Sequence, residues 1–116
     1  MPNNIGGKDV PTFTELLKKA HQQGLVSIKT NLIKTELVGK TDKLDAFYWF
    51  FFKAFVTMSS PSDSEVLLEF EATGDANKYN VGNMIKPHIL RMAETRAVAR
   101  ALRFALGEDT VFEEFD

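Results

Sequence analysis

Residues 44–58 constrain what this chain can fold into more than any other stretch. Even positions read Leu44, Ala46, Tyr48, Phe50, Phe52, Ala54, Val56 and Met58, while odd positions read Asp45, Phe47, Trp49, Phe51, Lys53, Phe55 and Thr57. Side chains of a strand alternate between its faces, so one wholly apolar face predicts a long β-strand laid on a core. Its other face mixes aromatic rings with Asp, Lys and Thr. A strand of this length needs partners along its edges, and the flanking sequence supplies two. Val26–Ile33 is β-branched and roughly alternating, followed by a loop over Val38–Lys43. Beyond the turn Ser59–Ser64, the run Val66–Thr73 repeats the pattern, with Val66, Leu68, Phe70 and Ala72 on the core side. A hairpin of these two strands with matched faces sets Lys53 opposite Glu71 and Phe55 opposite Glu69. The Lys–Glu pair would contribute about 0.2–1 kcal/mol.

Helices are expected at both ends of this sheet. Thr12-Phe13-Thr14-Glu15 fits a capping box; Phe13, Leu16, Leu17 and Ala20 follow at helical spacing, and Gly24 ends the helix, giving a span of about 13–23. Gly74-Asp75-Ala76-Asn77 ends the last strand, and Asp75 or Asn77 is placed to cap a short helical turn through Met84. A long helix follows from about Pro87 to Leu106, with Gly107 as its stop. Within it, Ala93, Ala97, Ala101 and Ala105 form a small-residue stripe, with Leu90, Val98, Leu102, Phe104 and Leu106 as bulk on either side. The expected architecture is α+β in the order αβββα: a three-stranded antiparallel sheet with helices packed on one face. Residues 1–107 form one domain and 108–116 an acidic tail.

Composition bounds the function. With 116 residues and no cysteine, the chain has room for one core and no means of forming disulfides or thiolate metal sites, which suits a cytoplasmic protein. The N-terminus lacks the layout of a signal peptide, and the longest apolar run, Phe47–Phe52, falls far short of the ~20 residues that cross a bilayer. The net charge of −2 hides an uneven distribution. Residues 1–58 carry eight lysines against five acids, residues 59–106 balance, and residues 107–116 carry five acids and no base. Enzyme motifs fail. Gly39-Lys40-Thr41 resembles the end of a phosphate-binding loop, but the glycine required upstream is Lys34. His21 and His88 sit on separate helices with no Ser or acid partner, and no carboxylate cluster has metal-site spacing. No catalytic residue, metal or cofactor is expected, and the chain reads as a binding module.

Three features are candidates for what it binds. Arg96, Arg100 and Arg103 fall within about 60° of one another on the long helix at 100° per residue. They form either the solvated face of a half-buried helix or a rail of guanidiniums for successive phosphates, since the planar fork of Arg matches phosphate oxygens. Lys40 and Lys43, in the loop before the aromatic strand, add charge. Phe47, Trp49 and Phe51 are either a stacking platform for bases or an interface between protein chains, which Glu69 and Glu71 nearby would favour. The Phe-containing acidic tail is either docked on the body or free to reach a protein partner.

Glu71-Ala72-Thr73-Gly74-Asp75-Ala76, followed by Ala93-Glu94-Thr95-Arg96-Ala97-Val98-Ala99-Arg100-Ala101-Leu102-Arg103-Phe104-Ala105-Leu106-Gly107, resembles the single-strand annealing proteins of the Rad-type recombination mediator superfamily. It is also similar to small thermophile and phage relatives of that group. The likeness covers mainly residues 66–107. It implies a double-stranded-RNA-binding-domain-like fold and binding of single-stranded DNA, or RNA, along a basic groove between hairpin and helices, often in homo-oligomeric rings. Carried to this sequence, it implicates Arg96, Arg100 and Arg103. The chain is smaller than full annealing domains and acidic overall, which separates simple binding from annealing. The tail also resembles the acidic tips of bacterial single-stranded-DNA-binding proteins. The expected function is sequence-independent binding of single-stranded DNA in recombination or repair; the alternative is a non-enzymatic protein-interaction module using the aromatic strand and the tail.

Overall fold

A computed structural model describes residues 3–5, 8–10, 12–82 and 88–107. A small two-stranded ribbon, β1 (Asn3–Ile5) with β2 (Lys8–Val10), precedes α1 (Phe13–Gln22). Then come β3 (Leu25–Val38), β4 (Phe47–Ser59) and β5 (Leu67–Ala76), an antiparallel sheet in the order β3-β4-β5, and finally α2 (Ile89–Leu106). The αβββα order read from the sequence is the order observed, with the short ribbon added in front.

Local signals account for most boundaries. Thr12 is the N-cap of α1: its hydroxyl oxygen accepts from the Glu15 amide at 3.2 Å and donates to the Glu15 carboxylate at 3.1 Å. Gly24, at φ +101°, turns the chain into β3, and its carbonyl accepts from the Ser59 amide at 2.9 Å. Gly107 closes α2 in the left-handed region at φ 70°.

The core lies between the sheet and both helices. Leu16 and Ala20 of α1, Ala54 and Val56 of β4, and Ala93, Ala97, Ala101 and Leu102 of α2 are completely buried. The alanine stripe lets α2 lie on the sheet at van der Waals distance, and Gly74 is where they meet. A Cβ built there would lie 2.2 Å from the Ala97 amide nitrogen and 2.8 Å from the Ala93 carbonyl oxygen. Gly74 therefore does not end β5, as the sequence suggested. It sits within the strand because α2 requires the missing side chain, and pairing continues to Ala76.

Other expectations need correction. Lys53 pairs with Thr73 and Phe55 with Glu71, two residues away from the predicted register, although Lys53 still reaches the Glu71 carboxylate diagonally at 3.3 Å. β3 is longer than the predicted strand and contains a bulge between Leu32 and Lys34. At about 3.3 Å per residue, β3 runs roughly 45 Å. By contrast, α2 spans only about 27 Å at 1.5 Å per residue. The β3–β4 hairpin therefore outruns its helical cover. Beyond Phe50 the even face of β4 is no longer core: Tyr48 is 55 % exposed, Leu37 beside it 62 %, and Leu44 and Ala46 lie in the exposed connecting loop. Leu90 and Phe104, assigned to packing, are also solvent-facing. The segment after Asn77 is a side-chain-capped turn, in which Asn77 Oδ1 accepts from the amides of Tyr79 at 2.8 Å and Asn80 at 3.0 Å. Met84 and Pro87 lie outside the described residues.

Candidate nucleic-acid interface

The three arginines do not form an exposed rail. Arg96 and Arg103 are buried, at 5 % and 4 % exposure, and only Arg100 is half-exposed. This corrects the sequence reading, and the cause is positional. Arg96 stands three residues from Ala93, about 60° away around the helix, so its side chain runs inside the contact that the alanines make. Burying a guanidinium is costly unless its donors are satisfied. Arg96 Nη1 donates to the Asp75 carbonyl at 3.0 Å and to Asn80 Oδ1 at 3.1 Å, and Nη2 donates to the Asn80 carbonyl at 2.8 Å. It is a clamp on the 75–80 turn. Arg100 Nη1 donates to the Thr73 carbonyl at 2.7 Å, occupying part of the outer edge of β5.

The aromatic candidates are brought together. Phe47, Trp49 and Phe51 project from β4 onto the sheet face that neither helix covers, with Phe55 further along. Ring centroids are 6.5 Å apart for Phe47–Trp49 and 5.2 Å for Trp49–Phe51, both tilted, so the rings form one half-buried row. Paired residues share a face, so the register brings Lys29 beside Phe55, Asn31 beside Lys53, Lys34 beside Phe51 and Glu36 beside Trp49. Lys34 Nζ stands 5.5 Å from the Phe51 centroid and Lys53 Nζ 5.8 Å from that of Phe55.

The acids expected to disfavour nucleic acid are mostly elsewhere. Glu69 pairs with Thr57 and Glu71 with Phe55, whereas β5 ends opposite Phe50. At about 3.4 Å per residue, Thr57 is roughly 20 Å from Phe51 along the strand, twice the Debye length at 0.1 M salt. Phe55 is roughly 14 Å away on the same spacing, and the Glu71 carboxylate beside it lies 3.3 Å from Lys53 Nζ. Near the rings stand Glu36, 3.4 Å from Lys34 Nζ, and Asp75, whose Oδ2 accepts from Trp49 Nε1 at 2.7 Å and from Asn80 Nδ2 at 3.2 Å.

Lys40 and Lys43 are exposed in the 39–46 loop, at the Phe47 end of the row, because Val38 pairs with Phe47 where the hairpin closes. The loop is ordered from within and without. Thr41 Oγ1 accepts from the amides of Lys43 at 3.3 Å and Leu44 at 3.0 Å, and the Tyr79 hydroxyl accepts from the Asp45 amide at 2.9 Å. The Tyr79 ring meets Phe47 edge-on at 5.0 Å. A cleft of about 280 Å³, lined by Ala46, Phe47, Tyr48, Phe50, Lys78 and Ile89, opens beside the start of β4.

Sequence reasoning overlooked Lys29, Lys34, Asp75, Tyr79 and Asn80. Lys29 was accessible from alternation alone. Lys34 was not, because the bulge moves it across the sheet. His21 and His88 are exposed, and among the described residues no group of three or more His, Cys, Asp or Glu could hold a metal ion. Among those residues no helix is long and apolar enough to cross a membrane. The acidic tail lies outside the described residues. Comparison with protein-family models, with curated proteins and with solved structures gives no match.

Proposed function

We propose that the domain binds single-stranded DNA without sequence preference on the open face of its sheet, as a non-enzymatic component of recombination or repair. The observation that carries this is the row Phe47–Trp49–Phe51 on a face that neither helix covers, flanked by lysines. Successive bases would stack on the rings, each worth about 1–3 kcal/mol whatever the base. Lys29, Lys34 and Lys53, with Lys40 and Lys43 at the loop end, would supply phosphate contacts. The pairs Lys34–Glu36 and Lys53–Glu71 are exposed, and such pairs are worth about 0–1 kcal/mol, so a phosphate competes readily for either lysine. Arg96 and Arg103 are assigned no contact, and Arg100 at most one. The resemblance of residues 66–107 to single-strand annealing proteins implies the same ligand, but in a groove between hairpin and helices rather than on this face.

The test is binding of labelled oligo-dT by the native chain, by Trp49→Ala/Phe51→Ala and by Lys29→Ala/Lys34→Ala. Both variants should bind at least tenfold more weakly, and the lysine variant should also lower the salt dependence, at about 0.7 per phosphate contact for a single strand. Undetectable binding of the native chain at low salt, or unchanged affinity in the aromatic variant, would refute the proposal. A poly-U arm asks whether RNA is bound equally.

A second reading, a protein interface including self-association, is favoured by the exposed Leu37 and Tyr48 on the projecting part of the hairpin. Light scattering of the native chain and of Leu37→Ser/Tyr48→Ser tests it: a mass above the monomer that falls in the variant supports it, and a monomer in both rejects self-association.

A further inference from the structure

We infer that Asp75 is the positioning residue of the aromatic row, fixing the Trp49 indole and tying it through Asn80 to the buried Arg96 of α2. The inference rests on the reading of the open face as a stacking surface, but its first readout needs no ligand. Trp49 is the middle ring of the row and is poorly supported by the sheet itself. β4 pairs with β5 only from Phe50 onward, so Trp49 has a strand neighbour, Glu36, on one side alone. On the other side the Asp75 carboxylate, displaced diagonally, accepts from Trp49 Nε1 at 2.7 Å. The same oxygen accepts from Asn80 Nδ2 at 3.2 Å. Asn80 is held in turn by Arg96, which donates to its side-chain oxygen at 3.1 Å and to its carbonyl at 2.8 Å. Arg96 also grips the main chain of Asp75, at 3.0 Å.

A half-buried ring is thus connected by side chains to a guanidinium that is only 5 % exposed. The arrangement fixes the orientation of the indole before any ligand arrives, so stacking does not have to order it. It also explains why a carboxylate is tolerated beside a row proposed to meet phosphates: its charge is directed at an indole N–H and an amide.

The chain has a single tryptophan, so fluorescence excited at the red edge, where Tyr48 and Tyr79 do not absorb, reports on Trp49 alone. The experiment compares the native chain with Asp75→Ala, Asp75→Asn and Asn80→Ala, measuring emission maximum, acrylamide quenching and oligo-dT affinity, with circular dichroism as the check on folding. Asp75→Ala should shift the emission to the red, raise quenching and weaken oligo-dT binding by about two- to tenfold, the cost of ordering one side chain on binding. Asp75→Asn keeps an oxygen acceptor and should stay close to the native chain in all three. Asn80→Ala should loosen the indole in the same sense, and carries the test should Asp75→Ala fail to fold. Unchanged emission and quenching in a folded Asp75→Ala, or in Asn80→Ala where Asp75→Ala does not fold, would overturn the inference. So would tighter oligo-dT binding by both Asp75 variants, which would make the carboxylate a mere electrostatic obstacle. Should the native chain bind no oligo-dT while the spectral changes occur, the DNA reading fails and the positioning role stands.

Discussion

Replacing Gly74 with alanine tests the contact on which the helix-to-sheet packing depends. The added methyl would fall 2.2 Å from the Ala97 nitrogen, 2.7 Å from the Arg96 carbonyl carbon and 2.8 Å from the Ala93 oxygen, all of them backbone atoms that cannot rotate away. Ordinary contact needs more than 3.4 Å, so α2 must lift by about an ångström or β5 must sink. Overpacking of this kind costs about 1–3 kcal/mol where side chains can adapt, and a rigid helix adapts less. The lift would also stretch the bond between Arg96 and the Asp75 carbonyl, now 3.0 Å, adding about 1 kcal/mol. We expect a loss of about 2–4 kcal/mol, which for a domain this size lowers Tm by roughly 10–25 °C. Thermal and urea unfolding followed by circular dichroism measure it. Gly39→Ala is the control: a Cβ there meets nothing within 4 Å, so stability should change by no more than about 0.5 kcal/mol. A Gly74→Ala protein that melts with the native chain would refute the close-contact account of α2.

The two arginines that bond to the β5 main chain should behave differently. Arg96→Ala removes donors from the carbonyls of Asp75 and Asn80 and should cost about 2–4 kcal/mol in urea unfolding, while Arg100→Ala, at a half-exposed position, should cost less. Thr12→Ala should cost about 0.5–2 kcal/mol by removing the cap of α1, and a value near zero would mean that the cap contributes nothing to stability.

Particular residues explain what the sequence made legible. The alternation of Phe50–Met58 and the turn at Ser59–Ser64 fix two strands and their facing sides, because a period of two is unambiguous wherever one face is buried. Thr12, Gly24 and Gly107 mark helix ends through side-chain or left-handed geometry that few other residues supply. The register of β4 with β5 was missed by two residues because the same faces match at either setting, and only the fit of Gly74 under α2 decides between them. The bulge in β3 leaves no composition signal, yet it decides that Lys34 and Glu36, rather than Ile33 and Thr35, lie beside Phe51 and Trp49. The arginines misled because charged residues clustered on one side of a helix read as its solvated face. In fact α2 is buried over most of its circumference, at Val98, Ala99 and Leu102 as well as along the alanine stripe. One clue lay in the sequence itself: alanines every four residues signal close approach, and anything adjoining that stripe shares its burial.

The unequal lengths of hairpin and helix divide labour along the same two strands. From Ala54 to Met58, β4 lies over α2, and every inward side chain answers to the packing. At Tyr48, and across at Leu37, there is no inside at all. Substitutions at these two positions should leave the melting temperature nearly untouched while remaking the outer surface. Such a segment can be redesigned, or drift, without the rest of the domain registering the change.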